Sequence, residues 1–237
     1  MARFLLIHGS CHGAWCWRDV VPALEAAGHE ATAIDLPGNA GSPIAPGDAT
    51  LENSGQAILD ASTPDTVVVG HSWAGYPIGQ AAEMDPKGLK ALIFLCAYVP
   101  NDGLSMVDMR KRAPHHPILP AVIRDPDGIT ISIDPEQAPG IFYSDCGPEI
   151  VDYAVPRLCP QAIRPQATPI TVTDRYASVP KHYIRCTEDR TIPPEYQAEM
   201  VKDWPEGTVH EMQRSHSPFF SDPAGLAGLL GRIAKAL

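Results

Sequence analysis

The chain has 237 residues, 44% of them hydrophobic and 19% charged, enough to bury a sizeable core as one large α/β domain or two small ones. A formal charge of −10 argues against a nucleic-acid partner and mildly against polyanionic substrates, and no run of about 18 apolar residues suggests a membrane span. A small neutral or apolar substrate fits this composition better.

The opening Met1-Ala2-Arg3-Phe4-Leu5-Leu6-Ile7 is too short for a signal peptide and runs into a first strand, Phe4 to His8. Trp17 to Ala27 reads as a helix stopped by Gly28, and Glu30 to Ile34 as a second strand, turned by Asp35-Leu36-Pro37-Gly38. Leu51 to Ala61 is helical in pattern, Val67 to Val69 is a third strand, Trp73 to Met84 a helix, and Ala91 to Cys96 a fourth strand. This alternation predicts a mostly parallel sheet with helices on both faces.

From Pro100 to about Val179 prolines crowd the chain and the long helical periods stop. A structureless loop of that length is improbable in a compact domain, so residues 101–179 are expected to form a cap inserted into a core made of 1–100 and 180–237. Alternation then resumes with Lys181 to Cys186, Pro194 to Trp204, Thr208 to Met212 and a closing helix from Pro223 to Leu237. The six cysteines, Cys11, Cys16, Cys96, Cys146, Cys159 and Cys186, show no paired spacing, which points to reduced thiols in a cytoplasmic protein rather than a disulfide framework or a metal site.

Within this order, Gly70-His71-Ser72-Trp73-Ala74-Gly75 follows an apolar β-branched run. A Gly-x-Ser-x-Gly between strand and helix holds a serine on a sharp turn, with small flanking residues letting the two elements approach. In a chance match the serine would sit in an unreactive Gly-rich loop, but here the flanking strand and helix make Ser72 the candidate nucleophile. A serine hydroxyl needs a base and an acid to orient that base, and in such sheets both follow strands. His216, after the last strand, is the candidate base among nine histidines. His71 adjoins the nucleophile but is expected to point away from it, and His8 belongs to the strand end. Asp189, after the preceding strand, is the candidate acid, with Glu188 and Asp102 as rivals on spacing alone. The N–H groups of Ser10 and Trp73 are placed to bind an oxyanion.

Phe4-Leu5-Leu6-Ile7-His8-Gly9-Ser10-Cys11-His12-Gly13-Ala14-Trp15-Cys16-Trp17 resembles the opening of the plant methylesterase and hydroxynitrile lyase branch of the α/β-hydrolases. Further similar runs are Leu24-Glu25-Ala26-Ala27-Gly28-His29, Ile141-Phe142-Tyr143, Arg175-Tyr176-Ala177-Ser178-Val179 and Cys186-Thr187-Glu188-Asp189-Arg190-Thr191-Ile192-Pro193. The resemblance implies an α/β-hydrolase fold with a six-stranded sheet and the triad Ser72, Asp189 and His216, with no cofactor and no metal. It also implies a substrate pocket bordered by Gly9, Cys11, His12, Trp15, Phe142 and Ser217. Lyases of this branch resemble one another in a threonine at the position of Gly9 and a lysine at that of Ser217, so the sequence favours a serine carboxylesterase acting on small apolar or aryl esters. A lyase using the same triad and a non-catalytic ligand-binding homologue are the alternatives. Two departures from the branch stand out: Trp73 where leucine is usual, expected to alter the acyl pocket, and Ser215 where an aspartate commonly precedes the catalytic histidine. The expected partner is a small-molecule ester, and a homodimer is compatible with this reading.

Overall fold

The computed structural model describes residues 1–39 and 41–237. Its strands, in chain order, are β1 (Arg3–Ile7), β2 (Glu30–Ile34), β3 (Thr66–His71), β4 (Ala91–Leu95), β5 (Val122–Arg124), β6 (Thr130–Ile133), β7 (Gln161–Ala162), β8 (Lys181–Cys186) and β9 (Val209–Met212). One six-stranded sheet has the order β2-β1-β3-β4-β8-β9, and every neighbouring pair in it is parallel. β5, β6 and β7 form a separate antiparallel sheet within the proline-rich segment, where the sequence showed only short runs.

The helices are α1 (Val20–Ala26), α2 (Leu51–Asp60), α3 (Gly75–Met84), α4 (Met106–Lys111), α5 (Ala138–Phe142), α6 (Pro148–Ala154), α7 (Ile163–Ala167), α8 (Asp174–Ser178), α9 (Pro194–Met200), α10 (Pro218–Ser221) and α11 (Pro223–Ala236). Successive strand residues face opposite sides of the sheet, so the central strands, covered on both faces, read as continuous apolar runs. On one face Phe4, Leu6, Val67 and Val69 pack with Leu24 of α1 and Leu226 and Leu230 of α11. On the other, Leu5, Ile7, Val68 and Phe94 pack with Ile58 of α2 and Ile78 and Ala82 of α3.

Two of the longer helices begin or end away from the sequence expectation. The segment before α1 is a 3-10 helix over Ala14–Trp17, and α9 stops at Met200, with residues 201–203 in a turn before Pro205. α2 starts where Thr50 accepts from the Asn53 N–H at 3.0 Å and Asn53 returns the bond to the Thr50 N–H at 2.8 Å. Parallel winding brings the C-terminal ends of β1, β3, β4, β8 and β9 to one edge of the sheet, where α4, α5 and the β5–β6 hairpin lie over them.

Candidate active site

Among the described residues three non-glycines have positive φ, and all three follow strands at that edge: Cys11 (62°), Ser72 (58°) and Cys96 (34°). Left-handed backbone costs a residue with a Cβ roughly 1–2 kcal/mol, so the surrounding packing must hold it. At Ser72 it does so in two ways. The Tyr98 N–H donates to the Ser72 carbonyl at 3.1 Å, and Gly75 passes so near β4's exit that a Cβ there would lie 2.0 Å from the Tyr98 carbonyl oxygen. The strand β3 thus ends in a 3-10 turn, Ser72–Ala74, that leads directly into α3. The Ser72 hydroxyl makes no hydrogen bond among the described residues and borders a cavity.

His216 borders the same cavity, and its Nδ1 lies 2.8 Å from Asp189 Oδ2. An ionised carboxylate only accepts, so Nδ1 carries the hydrogen and Nε2 the basic lone pair. Asp189 is buried and its acceptor capacity is filled. Oδ1 takes the N–H groups of Thr191 (2.7 Å) and Ile192 (3.0 Å), and Oδ2 also takes Gln197 Nε2 at 2.9 Å. Gln197 is itself fixed, since its Oε1 accepts from the Cys186 N–H at 3.0 Å and its Nε2 donates to the Ile192 carbonyl at 2.8 Å. The two rivals face elsewhere. Glu188 is exposed and accepts from Gln213 at 3.1 Å, and Asp102 accepts from the Val172 N–H at 3.0 Å.

The Ser10 N–H has no acceptor among the described residues, whereas the next one, of Cys11, is taken by Gln161 Oε1 at 3.3 Å. Ser10 is held by its hydroxyl, which accepts from Gln166 at 2.6 Å, and by its carbonyl, which accepts from His12 Nδ1 at 2.8 Å. Trp73 is the second residue of the 3-10 turn, a position whose N–H has no acceptor within the turn.

Of the residues expected to border the pocket, Cys11, His12 and Phe142 do so, and Gly9, Trp15 and Ser217 do not. The 3-10 helix Ala14–Trp17 turns Trp15 behind His12, on which it stacks at 5.3 Å. Ser217 is wholly buried. Gly9 acts through clearance, because a Cβ there would sit 2.5 Å from His71 Nδ1 and 3.0 Å from Ser72 Cβ. Trp73 is also corrected: its indole is buried in the apolar layer of α2 and α3 and forms no part of the cavity wall. The cavity is narrow, with room for the centre of a water molecule over only about 30 Å³; aliphatic side chains from β5 and β6, Val122, Ile131 and Ile133, close it. A wider hollow of about 570 Å³ between Arg112, Lys181 and Trp204 contains neither Ser72 nor His216.

A family model described as the alpha/beta hydrolase family matches residues 4–229. The chain belongs to that family. Methylesterase 7 of Arabidopsis thaliana is 31% identical to it over 250 residues, covering 98% of this chain and 96% of its own. Among solved structures, a pyrethroid hydrolase from Sphingobium faniae JZ-2 is 25% identical with a TM-score of 0.86, covering 99% of this chain and 98% of its own. Polyneuridine aldehyde esterase is 25% identical with a TM-score of 0.84, covering 99% of this chain and 100% of its own. No helix among the described residues of this α/β-hydrolase is long and apolar enough to cross a membrane.

Three buried histidines surround the site of the hydrolase as neutral rings. His8 donates from Nδ1 to the Gly9 carbonyl at 2.9 Å and accepts the Leu36 N–H at Nε2, 3.0 Å. His12 donates from Nδ1 to Ser10 and accepts the Tyr143 hydroxyl at Nε2, 2.7 Å. His71 donates from Nε2 to the His216 carbonyl at 2.8 Å, so contrary to expectation it helps to fix the loop of the proposed base and borders the cavity. Burial lowers all three, His12 to about 3 from an ordinary 6.5. His71, Cys96 and His216 approach one another closely, but the Cys96 thiol, held protonated by burial, donates to the His216 carbonyl at 3.5 Å and offers a metal no thiolate.

The same burial sets an acid limit on stability. Below pH 6.5 the unfolded chain protonates these histidines while the folded chain does not, so stability is complete above 6.5 and falls with pH toward the depressed folded values. Each histidine contributes a loss of up to about 1.4 kcal/mol per pH unit in that window. The urea midpoint is therefore expected to drop clearly between pH 7 and pH 5.5, and equal midpoints would contradict the neutral-ring assignment.

The sequence reading missed Asp145, Gln161, Gln166 and Gln197. Asp145 takes the place of the aspartate absent at Ser215: it accepts the Ser215 N–H at 2.9 Å and the Ser215 hydroxyl, pinning the residue before His216 from 70 positions away. No local pattern signals such a bond, although the missing aspartate was a clue that something else must hold the loop. Asp145→Ala leaves two donors of buried Ser215 unpaired, at roughly 1–3 kcal/mol. The expected result is a lowered melting temperature with a fall in kcat and little change in KM; unchanged values of both melting temperature and kcat would show that the bond does not position His216.

Proposed function

We propose that this α/β-hydrolase is a serine carboxylesterase that releases a small alcohol from an acid with an apolar or aryl body through an acyl-enzyme. The observation that carries the reading is the conjunction, on one cavity, of Ser72 at φ 58° and His216 hydrogen-bonded to a fully satisfied Asp189. Residues 101–179 serve as the cap of that cavity, and the esterase relatives support the reaction class.

In the first half-reaction Ser72 Oγ attacks the ester carbonyl and its proton passes to His216 Nε2. The contact between the two side chains tightens once substrate is bound. The oxyanion accepts from the N–H groups of Ser10 and Trp73, and Asp189 stabilises the imidazolium without itself taking the proton. His216 then protonates the leaving alkoxide. In the second half-reaction water, deprotonated by His216, attacks the acyl carbonyl and Ser72 leaves with the proton.

The alternative reading, a lyase on the same triad, is disfavoured by the space at Gly9. A threonine side chain there would overlap the His71 ring, and Ser217 puts no cation near the site. Turnover of 4-nitrophenyl and methyl esters is measured in parallel with cyanide release from mandelonitrile. Ester hydrolysis without cyanide is expected; cyanide release with negligible ester turnover would reverse the assignment.

A further inference from the structure

The wall of the active-site cavity carries one formally charged side chain other than its histidines, Arg110 of α4, and no carboxylate. Its neighbours there are ones that cannot neutralise it. His12 and His71 are neutral rings, and the thiol of Cys11 is held protonated by burial. Half-buried Arg110 has no ion pair and no hydrogen bond among the described residues, and α4 holds one acidic residue against two basic ones. Asp108, the acidic residue of α4, is committed elsewhere: it caps the helix through Ser105 and pairs with Lys111 at 3.2 Å.

A second donor stands free beside it. The Tyr98 side chain also borders the cavity, its hydroxyl has no partner among the described residues, and it lies near enough to Arg110 to feel its charge. Met106, Ile118 and Thr191 also line the cavity, and the Thr191 hydroxyl is spent on the Ile141 carbonyl at 3.0 Å. An unpaired guanidinium and a phenol hydroxyl on the wall of a cavity with no carboxylate match the two oxygens of a carboxylate. The chain as a whole carries −10 and repels anions at long range, so recognition of one requires such a local cation.

We propose that Arg110 and Tyr98 form an anion subsite and that the preferred substrate is a half-ester of a dicarboxylic acid, its free carboxylate bound by these two residues while Ser72 attacks the ester at the other end. The proposal rests on the esterase reading above: with a small alcohol leaving, the acid part is what fills the slot. Water is consumed, and the products are the dicarboxylate and the alcohol. The apolar walls then contact the methylene or aryl spacer, and its length sets specificity.

The test measures kcat/KM for monomethyl succinate, glutarate, adipate and pimelate against the methyl esters of the matching monocarboxylic acids, in the wild type, Arg110→Met and Arg110→Lys. At the best spacer length the wild type is expected to prefer the half-ester, the preference falling at least tenfold in Arg110→Met, as for loss of a charge-assisted bond, and by less in Arg110→Lys. A preference that changes by less than tenfold in Arg110→Met, or a wild type that favours the neutral ester at every length, overturns the subsite while leaving the esterase intact. A wild type that hydrolyses none of these esters and no 4-nitrophenyl ester removes both readings.

Discussion

Asp189→Asn is expected to lower kcat by about 10³–10⁴-fold, on the scale seen when the same change is made in other serine hydrolases, while the protein stays folded. The reason lies in the four bonds that fill the carboxylate. The two backbone N–H groups of Thr191 and Ile192 require an oxygen at Oδ1, so the new amide nitrogen must take the place of Oδ2, facing Gln197 and His216. Gln197 cannot turn over without losing its bonds to Cys186 and Ile192. His216 must then adopt the tautomer that accepts at Nδ1, which places the hydrogen on Nε2, where the proton of Ser72 has to go. A loss of less than tenfold in ester turnover, with native circular dichroism, would mean that Asp189 does not set this tautomer.

Ser72→Ala is expected to remove turnover to a residual at least about 10⁴-fold below the wild type. The hydroxyl makes no hydrogen bond among the described residues, so its deletion orphans no partner. Alanine has the same Cβ and pays the same backbone cost at φ 58°. Melting temperature should accordingly stay within a degree or two of the wild type, which separates a chemical role from a structural one. Appreciable ester hydrolysis by the folded variant would exclude Ser72 as the nucleophile.

The centre of the parallel sheet was legible in the sequence because β3 and β4 are buried on both faces and read as apolar runs, and the half-buried Glu30–Ile34 and Lys181–Cys186, placed by the alternation with helices, were expected with the bounds they have. The antiparallel β5-β6-β7 sheet was not legible, since its strands have two to four residues, too few for a period to register. α10 also escaped notice, being four residues that start two positions after His216. At the site, motif and strand order pointed to Ser72 and His216, while the choice of Asp189 over Glu188 and Asp102 came from the resemblance. What chain order could not convey was side-chain direction. Trp73 and Trp15, both next to expected site residues, turn into the protein, and the wall they were expected to form is built by Ile131, Ile133 and Arg110 from the segment with the weakest sequence pattern. The buried amides were invisible for the same reason, since Gln161, Gln166 and Gln197 act on partners 150, 156 and 8 positions away.

The most direct measurement is to quench the enzyme during turnover of 4-nitrophenyl acetate and map the acetyl group by peptide mass spectrometry. An acyl group is expected on Ser72 of the wild type and none in Ser72→Ala. Acylation at another residue, or steady ester turnover with no burst and no acylated peptide, would contradict the covalent mechanism.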